Sequence, residues 1–141
     1  MAASSRNANR LLFWFAFSLL FAHEMDAMVR HEWRLLPGFS SIASDTTARD
    51  LFTLVHIPVF AVLPWLCLNR RVGHRVQQGV DVFLVLHALA HFALSGHAHY
   101  EFTPPVETIT VFGAGVVGAL DLMLLRRWRP KTKDSENEPF P

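Results

Sequence analysis

Four apolar segments, each long enough to cross a lipid bilayer as a helix, constrain the fold of this chain most strongly. They are residues 11–29, 51–68, 79–95 and 107–125, and a helix needs about 17–25 residues to span the hydrocarbon core. Hydrophobic residues make up 51% of the 141-residue chain, a high share for a soluble domain of this size. We therefore expect an all-α fold, a four-helix transmembrane bundle over residues 1–129. A disordered cytoplasmic tail is expected at 130–141.

The positive charges predict how such a bundle is oriented. Arginines and lysines cluster before the first segment, between the second and third, and after the fourth, whereas residues 95–106 contain none. Short loops rich in these residues stay in the cytoplasm, so both termini are predicted to be cytoplasmic. The formal net charge is only +1, which gives no general field for nucleic acid. The expected partner is the lipid bilayer, with no nucleic acid.

The outer half of the first segment carries ionisable residues that a lipid-facing helix would not tolerate. His23, Glu24 and Asp26 follow directly on residues 11–22, of which all but Ser18 are apolar. Each charged group at this depth costs roughly 2.5–3.5 kcal/mol on insertion scales. Such residues usually face other helices and serve a function. The segment therefore predicts a polar site inside the bundle.

Four histidines on three helices fall at similar depths in this topology. With 1.5 Å of rise per residue, His23 and His91 lie about 18 Å from the inner surface and His87 about 12 Å. His56 enters from the outer side and lies about 7–8 Å below the outer surface. His87 and His91 are four residues apart, so both imidazoles lie on one helix face. These positions predict a shared layer of imidazoles from mid-membrane outward.

Imidazoles and carboxylates in one layer are suited to a transition-metal ion such as Zn, Fe, Mn or Cu. The only cysteine, Cys67, excludes an all-thiolate site. The predicted metal ligands are His23, Glu24, Asp26, His56, His87 and His91. Glu24 is also the candidate catalytic acid or base. The HExxH motif of zinc proteases is absent, because Ala27 occupies its fifth position.

Other interpretations of the polar residues remain open at this point. Asp26 could instead form a helical ion pair with Arg30, four residues later. The cluster could also satisfy itself by hydrogen bonds without metal. Asp81 and Asp121 are interpreted as interfacial residues or as partners of loop arginines. Five residues are interpreted as a solvated outer rim: His31, Glu32, His97, His99 and Glu101.

Three classes of function fit this pattern. The first is a membrane metalloenzyme that acts on a lipid-soluble or periplasmic small molecule, with the ion activating water or oxygen. The second is a haem b electron-transfer protein with two axial histidines, against which Glu24 and Asp26 argue mildly. The third is a metal-free proton relay or transporter. Whether a homo-oligomer completes the site stays open.

Three short motifs carry a resemblance to a known family. HEMDA at 23–27, HEWRLLPG at 31–38 and F-x-x-x-H-x-P at 52–58 resemble small bacterial inner-membrane proteins known only as a domain of unknown function. The resemblance covers about the first half of the chain and implies a bacterial source, a multi-pass inner-membrane location and a four-helix fold. It implies no activity. The matching residues are His23, Glu24, Asp26, Ala27, Glu32, Trp33, His56 and Pro58.

A weaker similarity links the chain to four-helix membrane proteins of the sterol-isomerase type. Those proteins use acids and histidine within the membrane. The similarity implies that an isomerase-type mechanism without metal is a further alternative.

Overall fold

A computed structural model describes residues 2–42 and 44–127, which form helices and connecting turns without any strand. The predicted all-α fold is thus confirmed for these residues, and the predicted tail at 130–141 lies outside them. The helices are α1 (Ala2–Val29), α2 (Pro37–Ser40), α3 (Asp45–Leu68), α4 (Gly73–Leu94) and α5 (Gly113–Arg127). A 3-10 turn follows α1 at Glu32–Arg34, and a π-helical turn at Thr108–Phe112 leads into α5.

Three of the helices are long and apolar enough to cross a membrane. These stretches are Arg10–Val29, Asp45–Leu68 and Gly73–Leu94. The fourth apolar stretch, Thr108–Leu124, is helical but shorter. It includes the π-helical turn and the first twelve residues of α5. The chain therefore has three clear candidate spans and a fourth, shorter apolar helix.

Helices α3 and α4 both begin six residues before the apolar segments predicted from hydropathy. The side chain of Ser44 accepts a hydrogen bond from the Thr47 amide at 3.3 Å and caps α3, as serine does at helix starts. Between the two helices, the Asn69 side chain accepts from the Arg71 amide at 2.9 Å. A Cβ atom at Gly73 would lie 2.4 Å from the Cys67 carbonyl oxygen. Only glycine fits this tight connection.

Helix α5 packs closely against α4 through its small residues. A Cβ atom added at Gly115 would lie 2.7 Å from the Cβ of Ala88, and one at Gly118 would lie 3.2 Å from the Asp81 carbonyl oxygen. Small residues allow helix backbones to approach in this way. The apolar core beside this contact contains Phe13, Ala16, Phe17, Leu20, Cys67, Val80, Leu84 and Ala114. Helix α5 thus packs closely against α4, and it also contacts α1.

A second apolar cluster closes the end of the bundle where α1 stops and α3 begins. It consists of Ala27, Trp33, Ala48, Phe52 and Phe102. The indole of Trp33 donates a hydrogen bond to Asp45 at 2.9 Å, which joins the turn after α1 to the start of α3. By contrast, most of α3 faces outward, since only Ala48, Phe52 and Cys67 of that helix are buried. Helix α3 therefore forms the edge of the bundle.

Candidate metal centre

Three histidines and one glutamate converge inside the bundle, just beneath the apolar cap. His23 comes from α1, His87 and His91 come from α4, and Glu32 comes from the 3-10 turn after α1. Each residue offers one ligand atom, and these four atoms all lie within 4.8 Å of one another. His23, Glu32 and His91 are buried, and His87 is partly buried. The four side chains could hold a metal ion.

The distances within the cluster are close to those of a coordination sphere. His23 Nε2 lies 2.9 Å from His87 Nε2 and 3.4 Å from Glu32 Oε2. His91 Nε2 lies 3.6 Å from Glu32 Oε1. In a tetrahedral site with metal–ligand bonds of about 2.0–2.1 Å, the ligand atoms lie about 3.3–3.4 Å from one another. Small side-chain shifts would therefore produce a four-ligand shell.

Glu32 reaches the cluster because the chain reverses sharply after α1. His31 adopts the left-handed conformation, with φ 56° and ψ 40°, a region in which histidine is among the less rare residues. The Glu32 side chain then turns back into the bundle, and only 5% of the residue stays exposed. Burial alone would raise the pKa of Glu32, but the neighbouring imidazoles of His23 and His91 hold it well below its usual range. The carboxylate is thus placed as an anion among imidazoles.

Tyr100 and Glu107 support His91 from the other side of its ring. His91 Nδ1 lies 3.0 Å from the Tyr100 hydroxyl and 3.6 Å from Glu107 Oε1. The Tyr100 hydroxyl donates to Glu107, so the tyrosine oxygen is left to accept from the Nδ1–H group. This arrangement directs the lone pair of His91 Nε2 towards the cluster. Metal-bound histidines are commonly oriented by such a partner.

One buried oxygen of the cluster lacks a hydrogen bond among the described residues. It is Glu32 Oε2, which is fully enclosed. A buried polar atom without a partner is costly. A cation bound between the imidazoles and the carboxylate would satisfy it. The donor set therefore fits a metal ion on chemical as well as geometric grounds.

The predicted ligands divide between this cluster and two other places. His23, His87 and His91 come together, as described. His56 Nε2 instead lies 2.9 Å from Glu24 Oε2, and its Nδ1–H group donates to the Phe52 carbonyl at 2.6 Å.

Asp26 lies apart from both groups. Its carboxylate is 3.4 Å from the Arg30 guanidinium, the helical ion pair considered as its alternative role. The structure thus brings together three of the predicted ligands with a fourth residue, Glu32, from the expected rim.

Comparison with known proteins places the chain in a family. Residues 9–128 match the model of the Family of unknown function (DUF6713). The chain belongs to this family. No curated protein and no solved structure gives a significant match.

The region shared with DUF6713 contains every residue of the cluster and its supports. Since the family carries no assigned function, the function has to be argued from the site itself.

Sequence reasoning missed Glu32, Tyr100 and Glu107 as parts of the site in this DUF6713 chain. The interpretation of Glu32 as a solvated rim residue is wrong, because the turn at His31 buries it. A helical wheel cannot show this, since Glu32 lies beyond the end of α1. One available signal was the HEW motif at 31–33, which places an acid beside a tryptophan that becomes 98% buried.

The remaining rim residues do lie at the surface. His97 and His99 are exposed, and His31 Nδ1 lies 2.7 Å from Glu101 Oε2. The Arg34 guanidinium lies 3.1 Å from Glu101 Oε1 and 2.9 Å from Asp45 Oδ2. The hydrogen bond with His31 lowers the pKa of Glu101. These ion pairs connect the turn after α1 with the segment between α4 and α5.

Asp81 and Asp121, interpreted from the sequence as interfacial residues or partners of loop arginines, are buried in the protein. They are 0% and 2% exposed, respectively. Neither carboxylate oxygen of Asp81 has a hydrogen-bond partner among the described side chains. Their positions on α4 and α5, beside the close contact at Gly118, place them inside the bundle.

Proposed function

We propose that this protein is a multi-pass membrane protein that binds one transition-metal ion between His23, His87, His91 and Glu32. The observation that carries the proposal is the convergence of these four side chains within 4.8 Å inside the bundle. Residues 1–129 would form the spanning domain. All four ligands come from one chain, so a homo-oligomer is not required to complete the site.

The donor set favours Zn, Fe, Mn or Cu. Imidazole nitrogens with a carboxylate oxygen are ligands that these ions share. A haem group is less well supported, because the ring centroids of His23, His87 and His91 lie only 4.7–4.9 Å apart. Axial histidines must approach a macrocycle from opposite faces, whereas these rings contact one another directly. We therefore favour a bound ion over haem b.

Enzymatic use of the ion is supported by the residues next to it. A bound ion would supply Lewis-acid or redox chemistry at the site. Glu24 follows His23 in the chain and is hydrogen-bonded to His56, so this pair is placed to move a proton. We propose a membrane metalloenzyme with a lipid-soluble or periplasmic small molecule as substrate. The same pair supports a metal-free proton relay or isomerase as the second candidate.

The three long apolar helices and the distribution of arginines support a bacterial inner membrane as the location. In this topology both termini face the cytoplasm, and the metal cluster lies in the outer half of the bundle. The lipid bilayer would be the main partner, and nothing in the charge pattern favours nucleic acid.

Metal binding is tested with the full-length protein purified in detergent and stripped with chelator. We expect one equivalent of Co²⁺ to bind and to give visible ligand-field absorption bands, with Zn²⁺ displacing it. H91A should lose this binding. The matched control is H99A, which removes an exposed histidine and should bind as the parent does. The proposal is overturned if the parent protein binds no stoichiometric metal, or if H91A and H99A bind alike.

A further inference from the structure

A groove between α1, α3 and α4 lies beside the four residues of the proposed metal site. Its volume is about 540 Å³, within the range of about 300–1,000 Å³ found for small-molecule pockets. Val59 and Phe83 on its rim are 41% and 47% exposed, so the groove opens at the outer surface of the helices. The lining residues are Leu20, Glu24, His56, Val59, Phe60, Leu63, Val76, Gly79, Val80 and Phe83.

Only two side chains of this lining are polar, and they form the pair Glu24 and His56. The Nδ1–H group of His56 is bound to the Phe52 carbonyl, which leaves Nε2 facing the Glu24 carboxylate at 2.9 Å. A second cavity of about 150 Å³ also borders this pair. The pair is therefore accessible from the groove and is not sealed within the core. An apolar site with a few placed polar groups is the usual form of a ligand pocket.

We propose that this groove binds a lipid-soluble molecule with an apolar chain and one hydroxyl or carbonyl oxygen. The chain lies against Phe60, Leu63 and Val76, and the oxygen hydrogen-bonds to the Glu24–His56 pair. In a membrane, the opening between Val59 and Phe83 faces acyl chains, so the ligand enters from the bilayer. The inference deepens the proposed function by naming the substrate class, and to that extent rests on it.

The probe for this proposal is a dodecanol that carries a photoreactive diazirine, and its reference is the diazirine dodecane without the hydroxyl. Both are added to metal-free protein in nanodiscs, irradiated, and located by mass spectrometry of the labelled peptides. We expect the alcohol to label the groove segments of α3 and α4 at least about fivefold more than the alkane does. Equal labelling by both probes would overturn the proposal and would identify an apolar crevice filled by lipid chains.

Two variants separate the groove from the polar pair. G79L places a side chain where nothing lies within 4 Å of the added Cβ, and it should block both probes. E24Q should reduce labelling by the alcohol but not by the alkane. The control G38L also adds a side chain in open space, but outside the groove, and should label as the parent does. Unchanged alcohol labelling in both G79L and E24Q would refute the groove as its site.

The metal centre and the groove can fail separately in these experiments. H91A removes a proposed metal ligand that does not line the groove, so it should lose Co²⁺ binding and keep alcohol labelling. Loss of labelling in G79L with retained Co²⁺ binding supports the groove independently. If Co²⁺ does not bind but the alcohol still labels selectively, the metal proposal fails and the groove stands.

Discussion

Glu107 is placed to orient one imidazole, that of His91, in the proposed metal site. Its carboxylate lies 3.6 Å from His91 Nδ1 and accepts from the Tyr100 hydroxyl. Replacing such an orienting partner typically lowers metal affinity 10–100-fold. We predict a loss of about 10-fold in Co²⁺ affinity for E107Q, measured by competition with a chelating dye. E101Q, in the same connecting segment but at the surface, is the control.

The outcome for E107Q distinguishes a positioning role from a structural one. Y100F should give a smaller loss, because it removes the hydroxyl but leaves the carboxylate near His91. Affinity that is unchanged in both variants, with the fold intact, would contradict the assignment. A merely structural role predicts a lower melting temperature with no change in the Co²⁺ spectrum.

The surface pair of His31 and Glu101 should give a pH dependence of local stability. The pKa of Glu101 is lowered in the fold by its hydrogen bond to His31. The carboxylate therefore stabilises the folded state fully at pH values above its ordinary pKa of 4.5. This contribution is lost as the pH falls through the lowered pKa. We expect amide exchange in residues 95–106 to become faster below about pH 4, beyond its intrinsic pH dependence. E101Q should abolish that step.

The pH-dependent change in local stability should be small, because the side chains of His31 and Glu101 are both more than a third exposed. Exposed ion pairs contribute about 0.2–1 kcal/mol and weaken with salt. If the increase in amide exchange at low pH persists unchanged in E101Q, another titrating group causes it.

At the scale of helices, the close contact between α4 and α5 depends on Gly115. A Cβ atom there would lie 2.7 Å from the Cβ of Ala88, so the helices must separate. We predict that G115A destabilises the protein by about 1–3 kcal/mol, the usual cost of overpacking. The measurement is the thermal midpoint in detergent. G79A is the matched control, since its Cβ meets nothing within 4 Å and alanine favours a helix.

A lower midpoint in G79A than in G115A would contradict the importance of this contact. Because Gly115 contacts Ala88, which precedes His91 by three residues on α4, the same variant should also weaken Co²⁺ binding. That link tests whether the packing of α5 sets the geometry of the site.

Hydropathy and helical period predicted part of this fold and part of the site. The four apolar segments all became helices, and the spacing of His87 and His91 correctly placed both imidazoles on one face. The starts of α3 and α4 were missed because their first turns are not apolar. Ser44 caps α3, and Asn69 stabilises the turn that precedes α4. Glu32 was missed because a single left-handed residue decides its direction. No periodic pattern encodes that turn.

The relation between His56 and the cluster could not be predicted for a different reason. Depth alone placed His56 in the same layer as the other histidines. Its direction depends on how α3 is rotated about its own axis, and α3 is an edge helix with few buried residues. With so little of that helix in the core, its sequence does not specify which face meets α1. The structure directs His56 to Glu24 instead.

Considered as a whole, the molecule directs two neighbouring polar side chains of α1 to different surroundings, about 100° apart around the helix axis. His23 faces inward to the other three residues of the proposed metal site. The next residue, Glu24, contacts His56 and lines the groove. The proposed ion site and the proposed lipid-binding groove are thus neighbours along α1. This arrangement suits chemistry on a substrate that arrives from the bilayer.

The topology of the whole chain can be tested because its single cysteine is buried, with 3% exposure. In a C67S background, H99C and R70C each place one thiol at an exposed position on opposite sides of the predicted membrane. We expect a membrane-impermeant maleimide to label H99C in intact bacterial spheroplasts and to label R70C only after lysis. His99 lies on the side of the arginine-free segment at 95–106, which is predicted to be periplasmic. Labelling of R70C but not H99C before lysis would invert the topology and place the metal cluster on the cytoplasmic side.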